Sequence, residues 1–429
     1  QDTQVKSSSL SGATCLSRRR FHATVKRCLG EWLCAALLIA AIYVGLTTQL
    51  AAQPTNVCDN RPLTHCGINL FDVIHDVVRN SNGCIRGPLT THRDAVSVER
   101  VYYGEVFSNT RGGITTSDAT QYQALLDLSV TSDFEETKLP IPGKFFMLTQ
   151  NTHGRGLTEE FVGDTQVLSN IDSFDNVVQV SEYWWEFGLL DDDVKVRLGK
   201  QDFNTEFLFI DGAEDFIQSS FGLSPSAALP TYPAPSMAAL VVLQLNETLV
   251  LRLGVWDALA PIGSWGFSDN NSVLVAAELE YKYALAHGKY PGILSLGAGF
   301  LSGDQVLGEP FGDVHGYSAQ FEQLICRESM CDADPIQGLS VFAGYYPRFS
   351  GRPVLNDAIG DSFVAGLVYT GLVPQRNADV SGAGIAWAET FQGGTNEETV
   401  FELFYRARIS PHISLQPDLQ YIATPSGIY

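Results

Sequence analysis

From Val98 onward the chain alternates apolar with polar or small residues, in short runs separated by Gly, Pro, Asp and Asn. Residues 401–421 show the pattern most plainly: Phe401, Leu403, Tyr405, Ala407 and Ile409 are interleaved with Glu402, Arg406 and Arg408. Beyond Pro411-His412 the alternation resumes, with Ile413, Leu415, Leu419 and Tyr421 set against Ser414, Gln416, Asp418 and Gln420. Successive side chains of a strand point to opposite faces, so a period of two predicts strands with one apolar and one polar face. Fifteen segments read this way: 98–109, 122–130, 144–150, 177–187, 194–201, 238–245, 249–256, 273–285, 293–301, 316–325, 339–348, 361–369, 379–389, 399–409 and 412–422. Short strands divided by regular turn signals predict an all-β barrel or sandwich.

The polar faces separate these two folds. Glu182, Trp184 and Glu186 alternate with Tyr183, Trp185 and Phe187, and Lys195 and Arg197 alternate with Val194, Val196 and Leu198, followed by Lys200 after a one-residue slip at Gly199. A transmembrane barrel turns its apolar face to lipid and its polar face to a lumen, with aromatic residues gathered at the interfaces. Charges of both signs recurring on one face suit a water-filled interior. Leu249, Leu251, Leu253 and Val255 are therefore expected outward and Arg252 inward. With charged residues at only 17%, the surface is also poorly charged for a soluble protein.

Export is expected. Arg18, Arg19, Arg20, Lys26 and Arg27 precede the apolar run Leu33–Leu46 and the small residues Ala51-Ala52, the layout of a secretory signal peptide. The rival reading is an uncleaved anchor, for which Glu31 and the short apolar run are poor. Residues 1–53 are assigned to the signal peptide and leader, 54–97 to a cysteine-containing periplasmic or plug segment, and 98–429 to the barrel. The net charge is −21 and becomes more negative without the basic leader, which excludes nucleic acid as a partner. In an oxidising compartment Cys326 and Cys331, closing the loop CRESMC, are expected to form a disulfide.

Catalytic and metal chemistry have little support. No nucleophile elbow and no His-Glu-x-x-His is present, so neither a metal nor a cofactor is expected. Asp191, Asp192 and Asp193 read as a charged turn sooner than a calcium site. His153 and His315 read as loop residues. The segment Ser219–Ser236, rich in Pro, Ser and Ala, is too long for a tight hairpin and suits either a surface loop or one folded into the lumen.

Several stretches together resemble the carbohydrate-selective outer-membrane porins of the OprB family: WWEFGLLDDDVKVRLGKQDFNTEF (184–207), SSFGLSPSAALPTYPAPSMAAL (219–240), LVLRLGVWDAL (249–259), GYSAQFEQL (316–324), GLVYTGLVPQRNADVSGAGIAWAE (366–389) and ETVFELFYRARISPHISLQPDLQYIATPSG (398–427). The resemblance implies a monomeric barrel of sixteen antiparallel strands in the outer membrane, through which sugars diffuse down their gradient. The family continues past the final segment into a last strand ending in an aromatic residue. A gap or strained seam is therefore expected between the strands near 412–422 and 98–109. Residues expected to line the lumen and meet sugar are Glu182, Trp184, Glu186, Lys195, Arg197, Lys200, Arg252, Trp256, Glu278, Glu280, Glu322, Arg348, Glu402, Arg406 and Arg408. Two other functions are open on the sequence: a secreted β-sandwich that binds glycans, and a barrel enzyme, which the scattered histidines disfavour.

Overall fold

The computed structural model describes residues 96–428 apart from 135–140, 174, 226–228, 259, 269–271, 303–304, 307–308, 311–312, 329–335, 348–358 and 391–396. All fifteen expected segments are strands. They are β1 (Val96–Ser108), β2 (Thr120–Asp133), β3 (Lys144–Gly154), β4 (Val178–Leu189), β5 (Val194–Gln201), β6 (Ser236–Asn246), β7 (Leu249–Asp257), β8 (Val273–Leu285) and β9 (Tyr290–Ser302). After a small hairpin of β10 (Gln305–Val306) and β11 (Glu309–Pro310) come β12 (Val314–Arg327), β13 (Gly338–Tyr346), β14 (Ile359–Thr370), β15 (Val380–Thr390) and β16 (Glu397–Ser410). The last segment is divided into β17 (Ile413–Leu415) and β18 (Asp418–Ala423), which lie end to end along β16. Pro417 interrupts it because it has no N–H for a ladder, although its carbonyl still accepts the N–H of Tyr405 at 3.1 Å. His153 and His315 lie in β3 and β12, so the loop placement expected for them does not hold.

Sixteen strands form one antiparallel sheet in which successive strands pair, except that β9 pairs β12 across the small hairpin and β17 and β18 both pair β16. The connections sort into two rims. Turns at 190–193, 247–248, 286–289 and 411–412 are tight, while 155–177, 202–235 and 258–272 are long and leave from the opposite rim. The outer face is apolar. On β7, Leu253 and Val255 are exposed and Arg252 is buried on the inner side, as expected, whereas Leu249 at the strand start is covered. Leu296, Leu403, Leu415, Leu419 and Tyr421 continue the exposed apolar surface on β9 and β16–β18, as a wall facing hydrocarbon requires.

Among the described residues no ladder joins β1 to β18. The 155–177 loop contacts both strands on the inner side. Phe107 of β1 and Ile422 of β18 both pack on Leu157, Phe161, Val162 and Leu168. Ser169 donates to Glu105 of β1 at 2.7 Å, and the Gln420 amide of β18 donates to the Leu168 carbonyl at 3.1 Å.

The inner face is not uniformly polar, and the 202–235 loop explains why. Phe203 and Phe207 pack on Leu240, Trp256, Leu274 and Leu301 of the wall. Further along, Ile210, Phe216 and Phe221 pack on Phe342, Val364, Val400 and Phe404. The loop thus leaves β5, crosses the lumen to β13–β16 and returns to β6. Burying Phe203, Phe207, Phe216 and Phe221 is worth about 1.5–3 kcal/mol each, enough to hold an irregular segment at the wall. Within the Ser219–Ser236 stretch, Phe221 and Leu229 pack on these inner-wall clusters.

Candidate functional site

A chain of ion pairs runs along the inner wall from β3 to β8. Lys144 pairs with Glu186 of β4 at 3.2 Å, and Arg197 of β5 reaches Glu186 and the loop residue Glu206, each at 2.8 Å. Arg252 of β7 continues it to Glu206 (3.5 Å), Glu278 (3.4 Å) and Glu280 (2.9 Å), and Lys282 closes it on Glu280 at 3.2 Å. Such buried charges are tolerable only because each meets several partners. Trp184 sits against this chain, stacked on Phe146 with ring centroids 4.8 Å apart and covered by the Arg197 guanidinium at 4.2 Å.

A second set of wall carboxylates holds backbone. Glu182 accepts the Asp202 N–H at 3.2 Å, and Glu278 accepts that of Leu208 at 3.0 Å. Glu322 accepts the N–H groups of Asp211 and Gly212, and Glu402 those of Ile217 and Gln218. Glu398 accepts three, from Thr165 (2.9 Å), Gln166 (2.8 Å) and Ser426 (2.6 Å). Irregular backbone inside a barrel has no ladder to satisfy its N–H groups, and charged acceptors supply strong substitutes. The two inward loops are also tied together: the Gln218 amide donates to the carbonyl of Gln166, and Ser220 donates to the Gln166 side chain.

The loop presents an acidic tip, Asp211, Glu214 and Asp215, all partly accessible. Asp215 is paired with Arg406 of β16. Burial, and then the neighbouring charge of Asp215, push the Glu214 carboxyl well above the usual range. Charges of both signs thus meet where the loop faces β16.

The residues expected in the lumen divide accordingly. Glu186, Arg197, Arg252 and Glu280 belong to the ion-pair chain, with Glu278 in both sets; Glu182, Glu322 and Glu402 are loop acceptors; Arg406 stands at the acidic tip. Trp184 and Trp256 point inward but offer no free ring face: Trp256 is 1% exposed, edge-on to Phe203 and Phe207. Lys195 is half-buried on β5, and Arg408 lies at the tight-turn rim, its N–H donating to Asp379 at 3.0 Å. Lys200 is a correction. The ladders of β5 with β4 and β6 run through Gly199 without a slip, so Lys200 shares the outer face with Tyr183 and Met237. There the 258–272 loop covers it, and its ammonium donates to the carbonyls of Val180 (2.9 Å) and Ser264 (2.8 Å). Arg348 and Cys331 lie outside the described residues; Cys326 is exposed, with no bridge among the described residues.

Lys144, Glu206, Lys282 and Glu398 and the tip Asp211–Asp215 escaped the sequence reading. The tip lies in a loop, where no periodicity tells inside from outside. The Asp-Gly-Ala-Glu-Asp run (211–215) was the available signal.

Comparison with known proteins agrees with this architecture. The high-pH structure of Pseudomonas putida OprB aligns at 18% identity over 78% of this chain and 90% of that one, with a TM-score of 0.65. The low-pH structure of the same protein aligns at 18% identity over 77% and 89%, with a TM-score of 0.51. A mutant Rh. blastica porin aligns at 15% identity over 76% and 94%, with a TM-score of 0.45. No curated protein matches the sequence significantly. The profile described as "Carbohydrate-selective porin, OprB family" matches residues 117–429, a stretch that contains every strand after β1. The chain therefore belongs to the OprB family of carbohydrate-selective porins, outer-membrane channels and not enzymes.

Proposed function

We propose that sugars and small polar solutes diffuse passively through this barrel, past a constriction between the acidic tip Asp211–Asp215 and the wall cations Arg406 and Lys282. The observation that carries the reading is the Arg406–Asp215 pair, in which a wall cation meets a carboxylate on a loop anchored across the lumen. A sugar hydroxyl can accept from the guanidinium and donate to the carboxylates, whereas an ion of either sign meets the like charge on one side. Residues 1–53 direct export in the same reading, on the strength of their basic and apolar runs.

Reconstitution in planar bilayers tests it. Single-channel conductance should fall on adding a series of neutral sugars, and Arg406→Ala or Asp215→Asn should weaken that response. A conducting channel indifferent to every sugar would sink the proposal.

A further inference from the structure

Two carboxylates grip the constriction loop on either side of its acidic tip. Glu322 on β12 takes the N–H of Asp211 on Oε1 at 2.9 Å and that of Gly212 on Oε2 at 2.8 Å. Glu402 on β16 takes the N–H of Ile217 on Oε1 at 2.7 Å and that of Gln218 on Oε2 at 3.0 Å. In each case both oxygens of one carboxylate bind consecutive backbone donors, which fixes direction as well as position. Glu214 and Asp215 lie between the two grips, and Arg406, four residues beyond Glu402 on the same strand, pairs with Asp215.

The loop does not depend on these grips to stay inside the barrel. Ile210, Ala213, Phe216 and Phe221 are buried against Phe342, Val364 and Phe404, so apolar packing retains it. Apolar contact is non-directional, however, and does not by itself fix where the tip points. Gly212 lies close against its anchor: a Cβ there would stand 3.4 Å from Glu322 Oε2 and 3.3 Å from Phe342 Cδ1.

We propose that Glu322 and Glu402 are positioning residues of the constriction: they touch no solute, and set where the acidic tip stands and hence the charge and sugar selectivity of the bore. This rests on the tip being the constriction. Loss of one hydrogen bond to a charged group should raise the population of a released tip about ten-fold. The effect should appear as current flicker and a shifted reversal potential while the barrel stays folded.

The test uses the full chain in planar bilayers under a KCl gradient, comparing wild type with Glu322→Gln and Glu402→Gln, and confirming folding by the heat-dependent shift of the barrel on electrophoresis. The expected result is folded variants with added flicker, a changed reversal potential and a weaker sugar response. Gly212→Ala, which keeps Glu322 but crowds its grip, should show the same change at smaller size, and it decides the matter if the glutamine variants do not fold. Wild-type flicker and reversal potential in folded Glu322→Gln and Glu402→Gln, or in Gly212→Ala if neither folds, would overturn the proposal. Reversal potential is read without sugar, so a wild-type channel blind to sugar would defeat the functional reading while leaving this result to stand or fall separately.

Discussion

Arg252→Met is the sharpest probe of the ion-pair chain. Arg252 is 3% exposed, and its guanidinium bridges Glu206, Glu278 and Glu280. Its loss is not shared equally. Glu206 keeps Arg197, and Glu280 keeps Lys282. Glu278 retains only the Leu208 N–H among the partners described, and is itself buried. Removing one partner of a buried pair typically costs about 3–5 kcal/mol, mostly through the charge left behind. If that charge is the one on Glu278, Arg252→Met with Glu278→Gln should recover about 1–3 kcal/mol of the loss, because the amide needs no counter-ion. Urea unfolding in detergent micelles, followed by tryptophan fluorescence, reports both changes, with Trp256 buried on the same strand. A loss under about 1 kcal/mol for the single variant, or a double variant no more stable than the single, would refute this account.

Two further outcomes are expected. Asp164, in the 155–177 loop, is pushed up to about 7 by burial and by the charge of Glu398. A folded-state pKa raised above the unfolded one stabilises below about pH 4, and the contribution is lost as pH rises through about 7; the thermal midpoint should be higher at about pH 5 than at about pH 8, with the difference reduced in Asp164→Asn. At Gly199, where φ is +139°, a Cβ would lie 2.3 Å from the Tyr183 carbonyl oxygen. Gly199→Ala should therefore lower urea stability by at least about 1–3 kcal/mol, and a neutral effect would count against the observed register.

The wall was legible in the sequence because period two and turn residues are local signals. Val194–Gln201 and Val273–Leu285 agree with β5 and β8 to the residue. Lys200 went astray because a glycine at positive φ lets a strand twist without changing register, and the charge pattern alone cannot tell this from a slip. What the wall carboxylates hold was not visible in the sequence. Alternation says which way Glu322 points, not that the N–H of Asp211 comes from over a hundred residues away to meet it. The same holds for Trp184 and Trp256: inward direction is local, whereas what covers a ring depends on Phe146, Phe203 and Phe207.

The grip of Glu398 also bears on how the molecule can be assembled. It joins residues 233 and 232 positions apart in the chain, Thr165 and Gln166 being made long before Glu398. Contacts of such separation carry a large loop-closure entropy and form late unless intervening structure has already brought the ends together. The intervening structure here is the sheet itself, built hairpin by hairpin from neighbours in sequence. Wall formation is thus a relay of short-range steps, while fastening of the 155–177 loop must wait until β16 has taken its place. The wall can therefore stand before this inward loop is fastened, and the residue that fastens it belongs to one of the last strands to be made.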